Sequence, residues 1–342
     1  MRELTKKIFC FALALISISC GEQAAKPVLI NGAGATFPYP IYSKWFDEYH
    51  KLHPEIQINY ASVGSGAGIR QMLVSTVDFG ASDGPMTDEQ LAQANVPILH
   101  FPTVLGADVA TYNIPGVQQE LNFTPEAIAG IFLGKITKWN DPLIARENPG
   151  IKLPDAGIVV IHRSDGSGTT YIWTDYLSKI SSEWKEKIGK ETSVNWPVGL
   201  GAKGNEGVSG LIKQTPNSIG YVELVYAIQN HLPYARVRNA AGAFVKADLA
   251  TISTAAAETA TSMPDDFRVS ITNPPGQEAY PVASFTWLLI PGKITDAAKR
   301  EAIKSFLRWM LTEGQKFAED LAYGKLPPDV VEKEMEAISM IQ

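Results

Sequence analysis

Val28-Leu29-Ile30 is a short apolar run that leads into the small-residue loop Gly32-Ala33-Gly34-Ala35-Thr36-Phe37. An apolar run of this length before a glycine-rich turn indicates a buried β-strand. Pro38 and Pro40 then stand where the first turn of a helix tolerates proline. Apolar residues follow at helical spacing, at Ile41, Trp45 and Tyr49. Strand, loop and helix in this order are typical of an α/β protein.

The same unit occurs twice more along the chain. Residues 56–63 alternate as a strand, the loop Gly64-Ser65-Gly66-Ala67-Gly68 follows, and residues 69–73 begin a helix. A third strand at 158–161 leads through residues 163–169 into a helix that extends to Ile180. Residues 283–290 form a nearly continuous apolar run, which predicts a strand of a parallel sheet covered on both faces. We therefore predict an α/β fold.

Capping signals mark three further helices. Thr87 and Gln90 have the spacing of a capping box and predict a helix through Ala94. Thr124 before a proline predicts a helix start, and Thr295 is expected to open the helix that follows the apolar strand.

Composition limits the class of protein. The 342 residues are 45% hydrophobic and 19% charged, with a net charge of −6, so the chain is neither disordered nor collagen-like. At about 150 residues per domain the length favours two domains. No basic stripe is visible, and we expect no nucleic-acid partner. Net acidity does not exclude a site for a small anion, which needs only a few local donors.

The N-terminal segment, residues 1–19, reads as a signal peptide. Arg2, Lys6 and Lys7 precede an apolar run of about a dozen residues, which is too short to span a bilayer as a stable helix. No second apolar run approaches the length of a membrane span, so we expect the rest of the chain to be exported and soluble.

Cys20 stands at the junction that follows. Two interpretations remain: a leftover thiol near an ordinary cleavage site, or the acylated first residue of a bacterial lipoprotein. Ser17 departs from the second pattern, which usually has an aliphatic residue there. The other cysteine, Cys10, lies within the signal peptide, so the mature chain could form no internal disulfide.

The three glycine-rich loops carry Thr36, Ser65 and Ser167. Helix N-termini present unpaired backbone N–H groups and a positive dipole end, and hydroxyl groups add further donors. Arg163 ends the third strand, and its guanidinium can bind a tetrahedral oxyanion with two parallel hydrogen bonds. Pairing with Asp165 would hold that guanidinium in place. The loops together predict an anion site at the carboxyl ends of the strands.

Other motifs have weaker support. Residues 199–204 fit a dinucleotide fingerprint but lack a convincing preceding strand. His50 and His53 have no evident third metal ligand. Ser167 near His162 does not form a nucleophile elbow. We therefore expect no cofactor, no metal and no catalytic residue.

The chain resembles the substrate-binding proteins of bacterial high-affinity phosphate ABC transporters. The resemblance runs from about Gly32 to Val331 and rests on six motifs: GAGATFP (32–38), FGASD (79–83), LGKITKW (133–139), RSDGSGT (163–169), NWPVGLG (195–201) and SIGYVE (218–223). It implies a two-lobed periplasmic binding protein fold with a ligand cleft between the lobes. Residues 27–103 plus 281–342 would form one lobe and 104–280 the other.

The resemblance also implies which residues contact phosphate. The family's phosphate-binding positions fall on Ala35, Thr36, Phe37, Ser65, Asp83, Arg163, Ser167, Gly168 and Thr169, with Asp165 orienting the arginine. Gly66 departs from close relatives, which often have a second serine there. A membrane-embedded permease is the implied partner, and the binding protein itself is expected to be a monomer.

Asp83 could be an ordinary turn residue, but an anion site gives it a second role. Phosphate keeps a proton near neutral pH, whereas sulfate has none, and an ionised carboxylate can only accept. Asp83 is therefore expected to accept the phosphate O–H and to repel sulfate or molybdate. A secreted phosphatase-like hydrolase with a similar anion site is the alternative from another functional class.

Overall fold

The computed structural model describes residues 27–260 and 263–342, and it is a two-lobed α/β structure. The predicted signal peptide and Cys20 lie outside the described residues. The strands in this part of the chain are β1 (Val28–Gly34), β2 (Ile56–Ser62), β3 (Phe79–Ser82), β4 (Ile98–Asn113), β5 (Asn122–Phe123), β6 (Val159–Arg163), β7 (Leu200–Ala202), β8 (Ser218–Glu223), β9 (Arg236–Arg238), β10 (Phe244–Val245) and β11 (Ala283–Pro291).

Helices follow most of these strands. They are α1 (Tyr39–Leu52), α2 (Ser65–Leu73), α3 (Asp88–Leu91), α4 (Pro125–Phe132), α5 (Pro142–Ala145), α6 (Gly168–Ile180), α7 (Ser182–Lys187), α8 (Gly204–Gln214), α9 (Leu224–Gln229), α10 (Leu249–Ala260), α11 (Ala297–Leu311) and α12 (Pro328–Ala337). Short 3₁₀ turns lie at Glu313–Phe317, Glu319–Leu321 and Ile338–Met340. Among the helices described, none is long and apolar enough to cross a membrane.

The main sheet has the strand order β2-β1-β3-β11-β4-β8-β6-β7. Strands β2, β1 and β3 are parallel at one end, and β8, β6 and β7 are parallel at the other. A small second sheet has the order β10-β9-β5. The three predicted strand–loop–helix units are present as β1 and α1, β2 and α2, and β6 and α6.

Strand β4 joins the two ends of the main sheet. It pairs with β11 over Ile98–Ala107 and with β8 over Asp108–Asn113, so its partner changes between Ala107 and Asp108. One continuous backbone therefore belongs to both ends of the sheet and connects the loops of the two ends.

The direction predicted for the strand at 283–290 was wrong. Strand β11 is buried almost throughout, as the apolar run predicted. It is nevertheless antiparallel to both neighbours, β3 and β4. A continuous apolar run indicates that a strand is buried on both faces of the sheet. An antiparallel strand in a sheet covered on both faces has the same apolar run, so the run does not determine the direction of the strand.

Two helix ends also differ from the prediction. The capping box of Thr87 and Gln90 is present, but α3 ends at Leu91 rather than at Ala94. Helix α11 is capped by Asp296 rather than by Thr295, because the Asp296 carboxylate accepts the N–H groups of Ala298 and Lys299 at 2.9 and 3.1 Å. A carboxylate at this position also interacts favourably with the helix dipole. Thr124 caps α4 as predicted.

The core around β1 is rich in aromatic side chains. Tyr42, Trp45 and Tyr49 on one face of α1 are fully buried. Trp45 Nε1 donates to the carbonyl of Gly314 at 2.7 Å, and the Tyr49 and Phe306 rings meet edge to face. Helix α11 thus closes this end of the sheet against α1.

We expect Leu307→Ala to destabilise the fold by about 2–5 kcal/mol, because it removes a buried side chain and leaves a cavity under α11. Leu307 is 0% exposed, whereas Leu52 at the end of α1 is 62% exposed. The matched control Leu52→Ala should change the free energy of unfolding by no more than about 0.5 kcal/mol. Urea unfolding of both variants measures the difference, and equal losses would contradict this packing.

Candidate anion-binding site

Side chains of five predicted site residues meet where loops from both ends of the sheet converge. Thr36 follows β1, Ser65 opens α2, Asp83 follows β3, Arg163 ends β6 and Ser167 precedes α6. All five are buried. Strands β1, β2 and β3 run in the direction opposite to β6, and both sets have their carboxyl ends toward the middle of β4, near Ala107 and Asp108, so the three loops reach one place from opposite sides.

The loop before α6 contacts the loop before α2 directly. The Gly168 N–H donates to Ser65 Oγ at 3.0 Å, and the Gly66 N–H donates to the Gly166 carbonyl at 2.9 Å. A Cβ at position 168 would collide with Asp83 and Ser65, so this close approach requires glycine. The Gly66 amide is thus engaged with the opposite loop.

Asp83 lies at the centre of these contacts. Thr286 Oγ1 donates to Asp83 Oδ1 at 2.8 Å, and Ser65 Oγ donates to Asp83 Oδ2 at 3.4 Å. Burial raises the pKa of the Asp83 carboxyl to about 7, against the hydrogen bond from Thr286 and the charge of Arg163, which both lower it. The Asp83 carboxyl group therefore changes between its protonated and ionised forms near neutral pH.

Arg163 is fixed by a bidentate ion pair with Asp165. Nε donates to Asp165 Oδ1 at 2.8 Å and Nη2 to Oδ2 at 2.6 Å, while Nη1 donates to Thr169 Oγ1 at 3.2 Å. The Arg163 side chain is 1% exposed and that of Asp165 13%. Burial of Asp165 acts to raise its pKa, but the Arg163 pair outweighs this effect and lowers the pKa below its usual value. The predicted orienting role of Asp165 matches this geometry.

The N-terminus of α6 supplies further donors. Ser167 is the N-cap, since its Oγ accepts the Thr170 N–H at 3.1 Å. The hydroxyl still has its own hydrogen to donate. As the start of a 13-residue helix, this end also has a positive dipole.

Ala35 and Phe37 are buried in the first loop. The Ala35 N–H donates to the Ala81 carbonyl at 3.0 Å, so it is used within the sheet. The Phe37 carbonyl accepts the Tyr323 hydroxyl at 2.6 Å. These contacts hold the loop that carries Thr36.

Two residues of this cluster were missed in the sequence. Asn205 Nδ2 donates to Thr36 Oγ1 at 2.9 Å and to Thr169 Oγ1 at 3.1 Å, so one buried amide links the first loop to the third. Thr286 holds Asp83. Both carried a signal: Asn205 follows the glycine-rich run 199–204 at a helix start, and Thr286 is a polar residue within an apolar strand.

Comparison with known proteins identifies the family of the chain. The PBP superfamily domain matches residues 21–313. The phosphate-binding protein PstS of Xylella fastidiosa (strain Temecula1) is 45% identical over 316 residues, which cover 92% of this chain and 86% of that protein. PstS of Pasteurella multocida is 43% identical over 331 residues, covering 96% and 94%.

A solved structure of a high-affinity periplasmic phosphate-binding protein bound with phosphate has a TM-score of 0.71 to this chain. The match covers 90% of this chain and 93% of that one at 20% identity, and it concerns the fold alone. The two PstS relatives match most of their lengths at more than twice that identity, and the chain therefore belongs to the PstS family of phosphate-binding proteins within the PBP superfamily.

Proposed function

We propose that this protein binds inorganic phosphate outside the cytoplasmic membrane and delivers it to the membrane-embedded permease of an ABC transporter. The observation that carries the proposal is the buried carboxylate of Asp83, which lies among donors from three loops. A site made only of donors would accept any oxyanion of suitable size. The carboxylate gives the ligand's own O–H a partner, which favours phosphate over fully deprotonated anions.

The proposed contacts fall into two groups. Arg163 and the hydroxyls of Thr36, Ser167 and Thr169 donate to phosphate oxygens, together with backbone amides at Phe37 and Thr169. Ser65 and Gly168 donate to phosphate once the hydrogen bond that joins them in this structure opens. The Asp83 carboxylate accepts a hydrogen bond from the O–H group that phosphate retains. Ala35 acts by shaping its loop, because its amide is already engaged.

We further propose that residues 27–103 plus 281–342 form one lobe and 104–280 the other. The hydrogen bond from Gly168 to Ser65 then joins the two lobes across the cleft. A hinge motion would part these loops to admit phosphate and bring them together to remove it from water.

The proposed function is binding and delivery of phosphate, without a catalytic step. Serine near histidine is the arrangement that a hydrolase would need, but the Ser167 Oγ accepts a backbone N–H as a helix cap. The His162 ring stacks on Trp196, and its Nδ1 lies 3.0 Å from the Arg163 carbonyl oxygen. The pair is thus occupied by structural contacts, which favours a carrier over a phosphatase-like hydrolase.

The first test is the phosphate-to-sulfate affinity ratio. At pH 8 most Asp83 side chains are ionised, and we expect phosphate to bind roughly 10⁴-fold more tightly than sulfate. In Asp83→Asn, phosphate binding should persist while this ratio falls by roughly 100-fold or more, because the amide can donate to sulfate. Calorimetric titrations with both anions measure the ratio.

The exposed Asp320→Asn is the matched control and should leave the ratio unchanged. In the native protein the ratio should rise as the pH increases through about 7, since Asp83 then loses its proton. An unchanged ratio in Asp83→Asn would exclude this role. Steady release of product from a phosphomonoester would favour the hydrolase.

A second test concerns Arg163. Arg163→Ala should weaken phosphate binding by about 2–5 kcal/mol, because it removes a buried cation and leaves Asp165 unpaired. Arg163→Lys keeps the charge without the planar guanidinium, and its phosphate affinity should lie between those of the native protein and Arg163→Ala. Arg146, whose side chain is 53% exposed beside Glu147, provides the control Arg146→Ala. Near-native affinity in a folded Arg163→Ala protein would remove Arg163 from the site.

A third test concerns export. We propose that the signal peptide is removed before Cys20, that this cysteine is acylated, and that the anchored protein is a monomer. Mass spectrometry of the mature N-terminus should find residue 20 first, with the added mass of acyl chains, and Cys20→Ser should be released from membranes. An unmodified N-terminus at another residue would contradict the lipid anchor.

A further inference from the structure

Two fully buried carboxyl groups face each other behind the anion site. Asp108 on β4 and Glu223 on β8 are direct partners in an antiparallel pair, so their side chains share one face of the sheet. Both residues are 0% exposed. Within the described part of the chain, the two carboxyl oxygens of Asp108 have no hydrogen-bond partner, and neither does Oε1 of Glu223. Glu223 Oε2 accepts the Val225 N–H at 2.7 Å.

This pair is connected to the site by backbone and side-chain contacts. The Glu223 backbone N–H donates to Asn205 Oδ1 at 3.0 Å. The Nδ2 of the same Asn205 side chain donates to the hydroxyls of Thr36 and Thr169. Two residues away on the same face of β8, the Tyr221 hydroxyl accepts the Arg163 N–H at 3.2 Å. Asp108 is also the first β4 residue that pairs with β8, where the strand passes from one end of the sheet to the other.

The titratable groups around the pair come from several elements. Asp108 interacts electrostatically with Asp83 at the end of β3, with Arg163 on β6, and with Glu223 and Tyr221 on β8. The Tyr280 hydroxyl donates to the backbone carbonyl of Asp108. Glu223 additionally interacts electrostatically with Asp83, Tyr226 and Tyr323. Arg163 is the one cation in this set, and Asp165 already pairs with it.

Ionisation of the pair would therefore add negative charge beside an anion site that has no spare cation in this set. Burial raises the pKa of Asp108 well above its usual value, and the charges of Asp83 and Glu223 add to the effect. Burial also raises the pKa of Glu223 well above its usual value. The described residues offer no group of three acidic, histidine or cysteine side chains that could hold a metal ion. A proton is the remaining means of neutralising these groups.

We propose that Asp108, paired with Glu223, sets the charge of the anion site: with its proton it permits the phosphate anion, and its ionisation weakens phosphate binding. The inference rests on the proposed function. Asp108 acts through its field on Asp83 and Arg163, and it is a positioning residue without a proposed ligand contact.

The sign of the pH dependence follows from linkage. A group that is protonated when phosphate is bound and ionised when the site is free takes up a proton on binding, so affinity falls as the pH rises. Once Asp108 ionises in the free protein, affinity falls by up to about tenfold per pH unit. The titration of Asp83 lies near pH 7, and its effect is separated from that of Asp108 by working at more alkaline pH.

The experiment measures phosphate affinity by calorimetry between about pH 7.5 and pH 10 for the mature protein and for Asp108→Asn. At the lower pH we expect affinities within a few-fold of each other. At alkaline pH the native protein should lose affinity steeply and Asp108→Asn much less. Titrations in two buffers of different ionisation enthalpy should show alkaline proton uptake that decreases in the variant. Asp320→Asn is the control and should follow the native curve.

Parallel pH curves and equal proton uptake in folded native and Asp108→Asn protein would overturn the inference. Should Asp108→Asn fail to fold, Glu223→Gln provides a second comparison: its amide oxygen can still accept the Val225 N–H, and it removes the charge that raises the Asp108 pKa, so the alkaline loss of affinity should begin at lower pH than in the native protein. A native protein that does not bind phosphate at about pH 7.5 would instead refute the proposed function, so the two failures are distinguishable.

Discussion

The continuous strand β4 is the constraint on which the rest of the site depends. It pairs with β11 up to Ala107 and with β8 from Asp108 onward, so the two ends of the sheet share one backbone. Because both ends direct strand termini to the same region, the loops at Thr36, Ser65 and Ser167 meet although they are far apart in sequence. The proposed hinge motion would part these loops while β4 kept its pairing with β11 on one side and with β8 on the other.

The electrostatics of the site are a balance between one cation and several acids. Arg163 is held by Asp165 in a bidentate pair, which fixes its direction and neutralises much of its charge. Affinity for an anion must then come largely from amide and hydroxyl dipoles, as at other helix N-termini. Asp83 is tolerated at this position because Thr286 and Ser65 donate to it. Protons on Asp108 and Glu223 would prevent further repulsion.

Much of this organisation could be predicted from local pattern. Three glycine-rich loops between apolar runs and helical stripes predicted the strand–loop–helix units, and the hydroxyl and arginine residues in those loops predicted an anion site. Local pattern failed where a partner lies far away. The hydrogen bond from Thr286 to Asp83 spans 203 positions, and that from Asn205 to Thr36 spans 169. Neither is encoded in spacing, and the direction of β11 was mispredicted because burial alone does not determine it.

By itself, the sequence determined the α/β class, the loops that carry the donors and the membership of a phosphate-binding family. Those properties depend on short-range periodicity, on the conformational freedom of glycine and on residue chemistry. Only the tertiary structure decided which carboxyl groups are removed from water, since burial is a property of packing between distant segments. It is packing that raises the pKa of Asp83 to about 7 and that sets Asp108 opposite Glu223. The same packing leaves both carboxyl oxygens of Asp108 without a hydrogen-bond partner in the described chain.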